Sequence, residues 1–435
     1  MKFRHACLLL TLGFLAACAE RELILPGERE DVRPPAEPAL LANPDARAPG
    51  LRLPPSRLNA EWTHLNGSIG HLQTPVQLGA DLSQAWVAEV GNGGGRRERM
   101  TSSPIIAGGV VYTLDAAATV TAVAQSSGQV LWRAELTPTG EQPTEGFGGG
   151  LAFDKGILAV TTGFGEILRL DPANGGIVWR TKLEGAVRAA PTLSDGRAVV
   201  VARGDLAYGI DLADGAIAWR LEGVGTGAGS LGGASPAVRG PVAIIPFVTG
   251  EVRAVLVRNG ISVWSAYVTG GRSDLVRSTI RDISGDPVID FDIVYVSNQA
   301  GQLVALDRRS GERLWTAGEG SYGPAVPVGG SVFVLSDAAE LVRLDASSGA
   351  VIWRQPLQEW ERPEKRRRAV PHFGPLLAGG RLVVASGDGL IRSFDPVDGR
   401  LLDAVELPAP AASHPAIASG TLFVQTRDGR LAAYR

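Results

Sequence analysis

Few residues of this 435-residue chain have the types and spacing that catalysis or metal binding requires. Its two cysteines, Cys7 and Cys18, both lie near the N-terminus, so the rest of the chain has no thiol for a disulfide, a metal site or catalysis. No segment has the G-x-S-x-G pattern of a serine nucleophile. The histidines are not spaced as metal ligands: His5, His64, His71, His372 and His414. This inventory predicts no cofactor.

Two further segments have compositions that can mark a ligand site. Asp286, Asp290 and Asp292 cluster at a predicted strand start, where solvated or capping carboxylates explain them better than a metal site does. The glycine-rich stretch Gly146–Gly150 precedes a predicted strand, whereas a phosphate-binding loop precedes a helix. Neither segment predicts a bound group.

The N-terminus has the pattern of a bacterial export signal. Lys2 and Arg4 precede an apolar run over residues 8–15, which is too short for a permanent membrane helix. The next residues, Leu15–Cys18, resemble the lipobox of bacterial lipoproteins, in which the cysteine is acylated and the chain is cut just before it. An ordinary signal peptide that happens to contain a cysteine is the alternative.

The lipoprotein interpretation also predicts a location. By resemblance to the Gram-negative sorting rule, Ala19 after the cysteine implies the inner leaflet of the outer membrane, so the protein would be anchored at the periplasmic face. Acyl chains contribute about 0.8 kcal/mol per buried methylene, which makes a durable anchor. We predict a signal peptide over residues 1–17, and a lipidated Cys18 with a tether rich in proline and charge over residues 18–57.

Composition indicates a strand-rich globular body. The chain has 56 glycines and 28 prolines, and 20% of its residues are charged, which is typical of a fold with many turns. Its net charge of −3 gives no reason to expect nucleic acid as a partner.

An eleven-residue motif, as in "LDASSGAVIWR" from Leu344 to Arg354, recurs along this body. The equivalents of its tryptophan are 38 to 51 residues apart: Trp86, Trp132, Trp179, Trp219, Trp264, Trp315 and Trp353, then Asp403. Its aspartate can accept hydrogen bonds from the amides of its own turn, and its glycine supplies the positive φ of a bulged hairpin. The tryptophan can cover a neighbouring repeat. The motif is therefore explained as a structural joint that needs no ligand.

Each repeat contains about four short strands in about 45 residues, which is the size of one β-propeller blade. The repeats begin near Pro104, Leu151, Pro191, Pro236, Pro287, Pro324, Pro375 and Pro415. The last has only three strands. We predict an all-β, eight-bladed β-propeller with four-stranded blades over residues 58–435, closed by an N-terminal strand near residues 84–90 that completes the last blade.

Over about residues 80–435 the repeats resemble the tryptophan-docking repeats of quinoprotein-type (PQQ-like) propellers. Two families share this repeat: the PQQ-dependent dehydrogenases and BamB, the eight-bladed lipoprotein of the outer-membrane β-barrel assembly (BAM) machinery. The dehydrogenases typically use adjacent cysteines and a calcium or lanthanide site, and no segment here resembles these. This chain resembles BamB in its lipobox, its eight blades, its N-terminal closure and its amino-acid sequence from Gly250 to Trp315.

The resemblance to BamB implies a non-enzymatic scaffold. Its implied partners are the periplasmic POTRA domains of a BamA-like barrel-assembly protein, other BAM lipoproteins and unfolded outer-membrane clients. A Leu-x-Leu-Arg-Gly segment and an Asp-x-Asp segment bind the barrel protein in the family. Leu231 and Asp282 match one residue of each, while Gly229, Gly232 and Ser284 depart from the pattern. A PQQ-dependent periplasmic dehydrogenase and a propeller lipoprotein that binds another envelope partner are the alternatives.

Four consecutive basic residues, Lys365–Arg368, lie in a long predicted loop. Glu359, Glu361 and Glu364 are close in sequence, which favours a solvated loop that neutralises itself. Contact with anionic lipid or an acidic partner is the alternative.

Overall fold

A computed structural model of the chain describes residues 50–95, 100–224, 233–268, 270 and 282–435. The helices in these ranges are short 3-10 turns, at Leu65–Gly67, Pro143–Glu145 and Pro363–Lys365. None of them has the length and apolar character needed to cross a membrane.

The described strands form eight four-stranded antiparallel sheets, which are the predicted propeller blades. Blades 1 to 4 are β2 Ile105–Ala107, β3 Val110–Leu114, β4 Thr119–Ala124 and β5 Val130–Glu135; β6 Gly149–Asp154, β7 Ile157–Thr162, β8 Glu166–Leu170 and β9 Ile177–Lys182; β10 Thr192–Ser194, β11 Arg197–Ala202, β12 Leu206–Asp211 and β13 Ile217–Glu222; β14 Ala237–Arg239, β15 Val242–Pro246, β16 Glu251–Leu256 and β17 Ser262–Tyr267.

Blades 5 to 8 follow in the same way along the chain. They are β18 Ile283–Asp290, β19 Ile293–Asn298, β20 Gln302–Asp307 and β21 Arg313–Ala317; β22 Val326–Val328, β23 Ser331–Leu335, β24 Glu340–Asp345 and β25 Val351–Pro356; β28 His372–Ala378, β29 Arg381–Ser386, β30 Leu390–Phe394 and β31 Leu401–Glu406; β32 Ala416–Ala418, β33 Thr421–Gln425, β34 Arg430–Tyr434 and β1 Gln84–Glu89. A two-stranded hairpin, β26 Trp360–Arg362 and β27 Arg367–Ala369, lies between blades 6 and 7.

Burial follows the position of a strand within its blade. The first strands of neighbouring blades contact one another, so they line the centre of the ring. The middle strands are buried on both faces, as in β33, because each blade packs between two others. Outer strands such as β5 alternate between half-buried and exposed residues. The apolar core therefore consists of layers between adjacent blades, such as the cluster that joins Tyr112 to Leu158.

The N-terminal strand closes the ring, as predicted. β1 pairs antiparallel with β34, with Trp86 opposite Ala433. Beyond this pair the backbones of Ser83 and Arg435 exchange two hydrogen bonds of 2.8 and 2.9 Å. The last blade thus combines strands from the two ends of the described ring, and β1 covers the edge of β34.

The tryptophan motif forms the joints between blades, which confirms the structural interpretation. Trp219 Nε1 donates to Val257 O of the next blade at 2.8 Å. A Cβ on Gly260 would lie 2.9 Å from Trp219 Cδ2, and the residue has φ +72°, so only glycine fits under the indole. The other joints follow the same plan: Trp86 on Gly128, Trp132 on Gly175, Trp179 on Gly215, Trp264 on Gly311, Trp315 on Gly349 and Trp353 on Gly399.

The aspartate of the motif orders the turn. Asp345 Oδ1 accepts the amide hydrogens of Ser347 and Ser348, both at 3.0 Å. The two serine hydroxyls donate to the same oxygen, and these hydrogen bonds hold the pKa of Asp345 below its usual value. The carboxylate is fully used inside its own turn.

A segment before β1, residues 51–79, crosses one end of the ring; we call it the cap. It contacts the first strand of every blade, or the turn that follows that strand. Trp62 and Ile106 of β2 exchange two backbone hydrogen bonds of 2.8 Å. The remaining contacts are made by Thr63 (β6), His64 (β10), Ile69 (β14), Gly70 (β18), Leu51 (turn after β22), Val76 (β28) and Asn59 (β32). Residues 51–57, placed in the tether by sequence, thus lie against the ring.

Candidate functional site

The two ends of the ring differ in what they present. At the capped face lie the turns from first to second strand and from third to fourth strand. Because all strands of a blade are antiparallel, the opposite end carries the connections between blades and the turns from second to third strand. We call this end the loop face, and the longest predicted connections lie there.

Asp282, one of the two predicted partner-binding residues, lies at the loop face directly before β18. It is only 3% exposed and forms part of the wall of a pocket between blades 3, 4 and 5. Leu231, the other predicted residue, lies outside the described residues, as do Gly229 and Gly232. The structure therefore places one of the two residues and does not test whether they lie together.

Two arginines that sequence reasoning did not single out line the same pocket. Arg188 and Arg203 flank it together with Val248 and Asp282. The Arg188 guanidinium lies 5.2 Å from the centre of the Phe147 ring, a cation–π distance. Burial, and then the charge of Arg203, lower the pKa of Arg188. The pocket therefore has three charged side chains, those of Arg188, Arg203 and Asp282, in a wall otherwise formed by small and apolar residues.

The second position of the family's acidic pair, Ser284, has a structural role here. Its Oγ donates to Ser321 O at 2.8 Å, which ties blade 5 to the entry of blade 6. The departure from the Asp-x-Asp pattern thus leaves a single carboxylate, that of Asp282, at this edge of the pocket.

The aspartates that cluster in sequence near the start of β18 have different partners in the structure. Asp286 Oδ1 accepts the amide hydrogen of Ser235 at 2.6 Å, and burial raises the pKa of Asp286 to about 6. Asp292 lies at the other end of the blade, 3.3 Å from Arg308. Capping and surface roles are confirmed for these two. Within the described ranges no group of three or more His, Cys, Asp or Glu residues is placed to hold a metal ion.

The second-to-third strand turns surround the loop face with ion pairs. Arg354 lies 2.5 Å from Glu319 and 3.2 Å from Glu340. Glu251 pairs with Arg253 at 2.7 Å, and the same kind of pair recurs at Asp388–Arg392 and Glu166–Arg180. These ion pairs tie the turns to neighbouring strands, and the pocket and the long connections remain as places for recognition.

Four of the five histidines lie in the described residues, and they serve the fold. His64 Nε2 accepts the amide hydrogen of Leu193 at 3.1 Å, and His71 Nδ1 lies 2.9 Å from Pro287 O. Burial lowers the pKa of His64 to about 3 and that of His71 to about 4. His414, whose pKa burial also lowers to about 4, accepts the amide hydrogen of Gly374. These rings are neutral connectors.

The basic run forms part of a defined hairpin on the loop face rather than an irregular loop. Of its four residues, Arg368 lies 3.4 Å from Glu361. No other residue of Lys365–Arg368 lies within 4.0 Å of a carboxylate in the described part of the chain. The predicted self-neutralisation is therefore only partial.

Comparison with known proteins relates this architecture to one family. The family described as outer membrane protein assembly factor BamB matches residues 79–146, 116–355 and 358–435. A relative with that name from Yersinia pestis is 25% identical over 358 residues, covering 81% of this chain and 88% of the relative.

Solved structures share the fold. The crystal structure of BamB from Moraxella catarrhalis superposes with a TM-score of 0.68 at 17% identity, covering 82% of this chain and all of that one. A quinohemoprotein alcohol dehydrogenase from Comamonas testosteroni superposes with a TM-score of 0.66 at 14% identity, covering 86% of this chain and 80% of the enzyme.

Proposed function

This chain belongs to the BamB family of outer membrane protein assembly factors, and from that premise we propose that it is a non-enzymatic scaffold subunit of the β-barrel assembly complex. The observation that carries the proposal is the family match, which spans nearly all of residues 79–435. The relatives from Yersinia pestis and Salmonella typhimurium are named as outer membrane protein assembly factors. The likeness to an alcohol dehydrogenase concerns the fold alone, and we propose no second function from it.

The partner surface in this proposal is the loop face around the Asp282 pocket. The cap occupies the other end of the ring, whereas the loop face presents long connections and a charged cleft. Asp282 is nearly buried, so a partner would meet it inside the cleft, beside Arg188 and Arg203. The proposed partners are the periplasmic domains of the BamA-like barrel protein, with Leu231 contributing from the adjacent connection. Other BAM lipoproteins and unfolded barrel clients complete the assembly.

The proposed location is the periplasmic face of the outer membrane, with Cys18 acylated. The family is one of outer membrane assembly factors, and the sequence around Cys18 has the lipobox pattern. A lipid anchor at this position would hold the chain to the membrane without a membrane-spanning helix.

Affinity capture from native envelopes tests membership of the complex. We expect the full-length chain, solubilised in mild detergent, to co-purify with the barrel-assembly protein. The Cys18→Ala variant should leave the membrane fraction and recover less of the complex. Capture of the anchored chain without the barrel-assembly protein would overturn the proposed function.

A matched pair of carboxylate variants tests the site. Asp282→Asn keeps the side-chain volume in the cleft and removes its charge, and we expect binding of the barrel-assembly protein to weaken at least tenfold, because a desolvated charge loses its complement. Asp292→Asn makes the same change at the capped face, where the side chain is 61% exposed, and should leave binding unchanged. Equal binding by both variants would show that Asp282 is not at the interface.

A further inference from the structure

The connection between blades 6 and 7 is built as a protruding hairpin, which we call the basic hairpin (residues 359–370). It leaves blade 6 after β25 and consists of β26, a 3-10 turn and β27. Its base is fixed: Val370, 4% exposed, donates its amide hydrogen to Glu359 O at 2.9 Å. His372 Nε2 lies 3.0 Å from Gln358 O. The tip is therefore held in a defined position relative to the ring.

The tip carries an excess of positive charge that the described part of the molecule does not neutralise. Residues 361–369 are all exposed. From residue 361 to residue 368 they include two acids and five cations: Glu361 and Glu364, with Arg362, Lys365, Arg366, Arg367 and Arg368. Glu361 lies 3.4 Å from Arg368 and 3.9 Å from Arg427. Among the residues the structure describes, the other four cations of the tip have no carboxylate within 4.0 Å.

Two arginines in the turn of the basic hairpin adopt a backbone conformation that glycine would adopt with less strain. Arg366 has φ 44° and Arg368 has φ 59°, both in the left-handed region that L-residues avoid. At a tight turn nearby, the equivalent conformations are taken by Gly379 and Gly380. The turn therefore holds two arginines in a conformation that ordinarily favours glycine.

We propose that the basic hairpin is a docking element for an acidic protein surface. Four of its five cations are arginines, whose planar guanidinium groups bind carboxylates in bidentate geometry. A fixed hairpin also suits recognition of a surface with a defined arrangement of carboxylates. It lies on blades 6 and 7, apart from the Asp282 pocket on blades 3 to 5, so it is a second contact beyond the proposed one.

Two observations favour an acidic protein over a lipid surface. Residues 361–369 contain no large aliphatic or aromatic side chain to enter a membrane, and Trp360 at the base is only half-exposed. The second observation is the position of the hairpin. The described N-terminal residues meet the ring at the capped face, where Leu51 lies next to Gly329, whereas the hairpin lies on the opposite face, the loop face.

The test compares two triple variants of the full-length chain with equal loss of charge. The first is Lys365→Gln, Arg366→Gln and Arg367→Gln. The control is Arg258→Gln, Arg309→Gln and Arg400→Gln, in third-to-fourth strand turns of the capped face. The probes are a fluorescent hepta-glutamate peptide and vesicles of phosphatidylcholine with or without phosphatidylglycerol.

We expect the wild-type chain and the control to bind the peptide alike, and the hairpin variant to bind about tenfold more weakly, as three exposed charge pairs worth about twofold each would give. Added salt should weaken wild-type binding more than that of the hairpin variant. No peptide binding, or equal loss in both triple variants, would overturn the proposal. So would a preference for phosphatidylglycerol vesicles over the peptide that only the hairpin variant lost, since that would identify a lipid contact.

Discussion

The indole N–H determines how much each docking tryptophan contributes to its joint. Trp219 places its N–H 2.8 Å from Val257 O, and both residues are nearly inaccessible. Trp353 packs on Gly399 in the same way, but its buried Nε1 has no acceptor in the described residues. A satisfied N–H contributes about 1 kcal/mol net, whereas an unpaired buried one costs free energy.

Replacement of each of these tryptophans by phenylalanine separates the hydrogen bond from the packing. We expect Trp219→Phe to lower the free energy of unfolding by about 1–3 kcal/mol more than Trp353→Phe, because only the first leaves a buried carbonyl without its partner. Both lose a similar apolar area. Denaturant unfolding of the two variants measures the difference, and equal losses would show that packing alone sets the strength of the joints.

Sequence was sufficient for residues whose role is local. The aspartate, glycine and tryptophan of the motif act within a turn or on the next blade, so their spacing alone predicted the joints. Arg188 and Arg203 belong to no motif. Arg188 lies in the connection between blades 2 and 3 and Arg203 in a turn of blade 3, and only the fold brings them into one pocket with Asp282. The Asp282 pocket was thus predictable only in its position on the ring.

At the scale of elements, the cap is the feature that sequence did not reveal. Its contacts are mostly single hydrogen bonds to different blades, so it has no period, and within the described residues only Trp62 and Val76 form bridges with strands of the ring, at Ile106 and Ala378. The cap supplies hydrogen-bond partners to backbone N–H and C=O groups of the first strands, which have no neighbouring strand on their inner side. Leu51 and Leu53 add apolar contacts at the interface of blades 6 and 7.

Docking of the cap should weaken in acid. The pKa values of His64 and His71 are lowered to about 3 and 4 when the cap is docked, against an ordinary value of 6.5. Below pH 6.5 the released cap therefore takes up protons that the docked cap does not, and the stability present above pH 6.5 is lost as pH falls. At pH 5 the loss reaches about 2 kcal/mol per histidine. Hydrogen exchange of residues 59–79, corrected for intrinsic rates, should be faster at pH 5 than at pH 7.5.

The control for this effect is His64→Gln with His71→Asn. These amides place an acceptor near the position of Nε2 and a donor near that of Nδ1, and neither titrates. The double variant should show the same cap exchange at both pH values. A pH response equal to that of the wild type would exclude the two histidines as its origin. A local readout is needed because Asp286, with its pKa raised to about 6, acts in the opposite direction: its contribution is lost as pH rises through 6.

At the scale of the whole molecule, the junction of β1 with β34, which we call the seam, explains why the tryptophan of the repeat is replaced by Asp403. Asp403 lies in β31, the outer strand of blade 7, whereas the outer strand of each of the other seven blades, including β1 of blade 8, carries a tryptophan at the same step of the repeat. The third and fourth strands of the next blade are β34 and β1, which no turn connects. A tryptophan at position 403 would have no turn glycine on which to dock. The absence of an eighth tryptophan is a consequence of closing the ring with two separate ends.

Two truncations distinguish the cap from the seam. A chain that begins at residue 81 loses the cap and keeps β1, and we expect a monomeric ring with a lower melting temperature. A chain that begins at residue 91 also loses β1, which exposes the edge of β34 and uncovers the Gly128 turn, so we expect association through the free edge. Light scattering after size exclusion and thermal unfolding measure both. A monomeric, equally stable second variant would show that closure is dispensable.

The seam also fixes an order of events during synthesis. Strand β1, Gln84–Glu89, is synthesised before every other strand of the eight blades. Its partner β34, Arg430–Tyr434, is the last of these strands to be synthesised. The earliest strand must therefore wait, unpaired, for almost the whole chain to emerge, and its long separation from β34 makes this pairing the slowest to find. Until then the first and last blades of the growing arc each have an apolar face that no neighbouring blade covers. The time between the first strand and the last is the period in which this protein itself most depends on protection from aggregation.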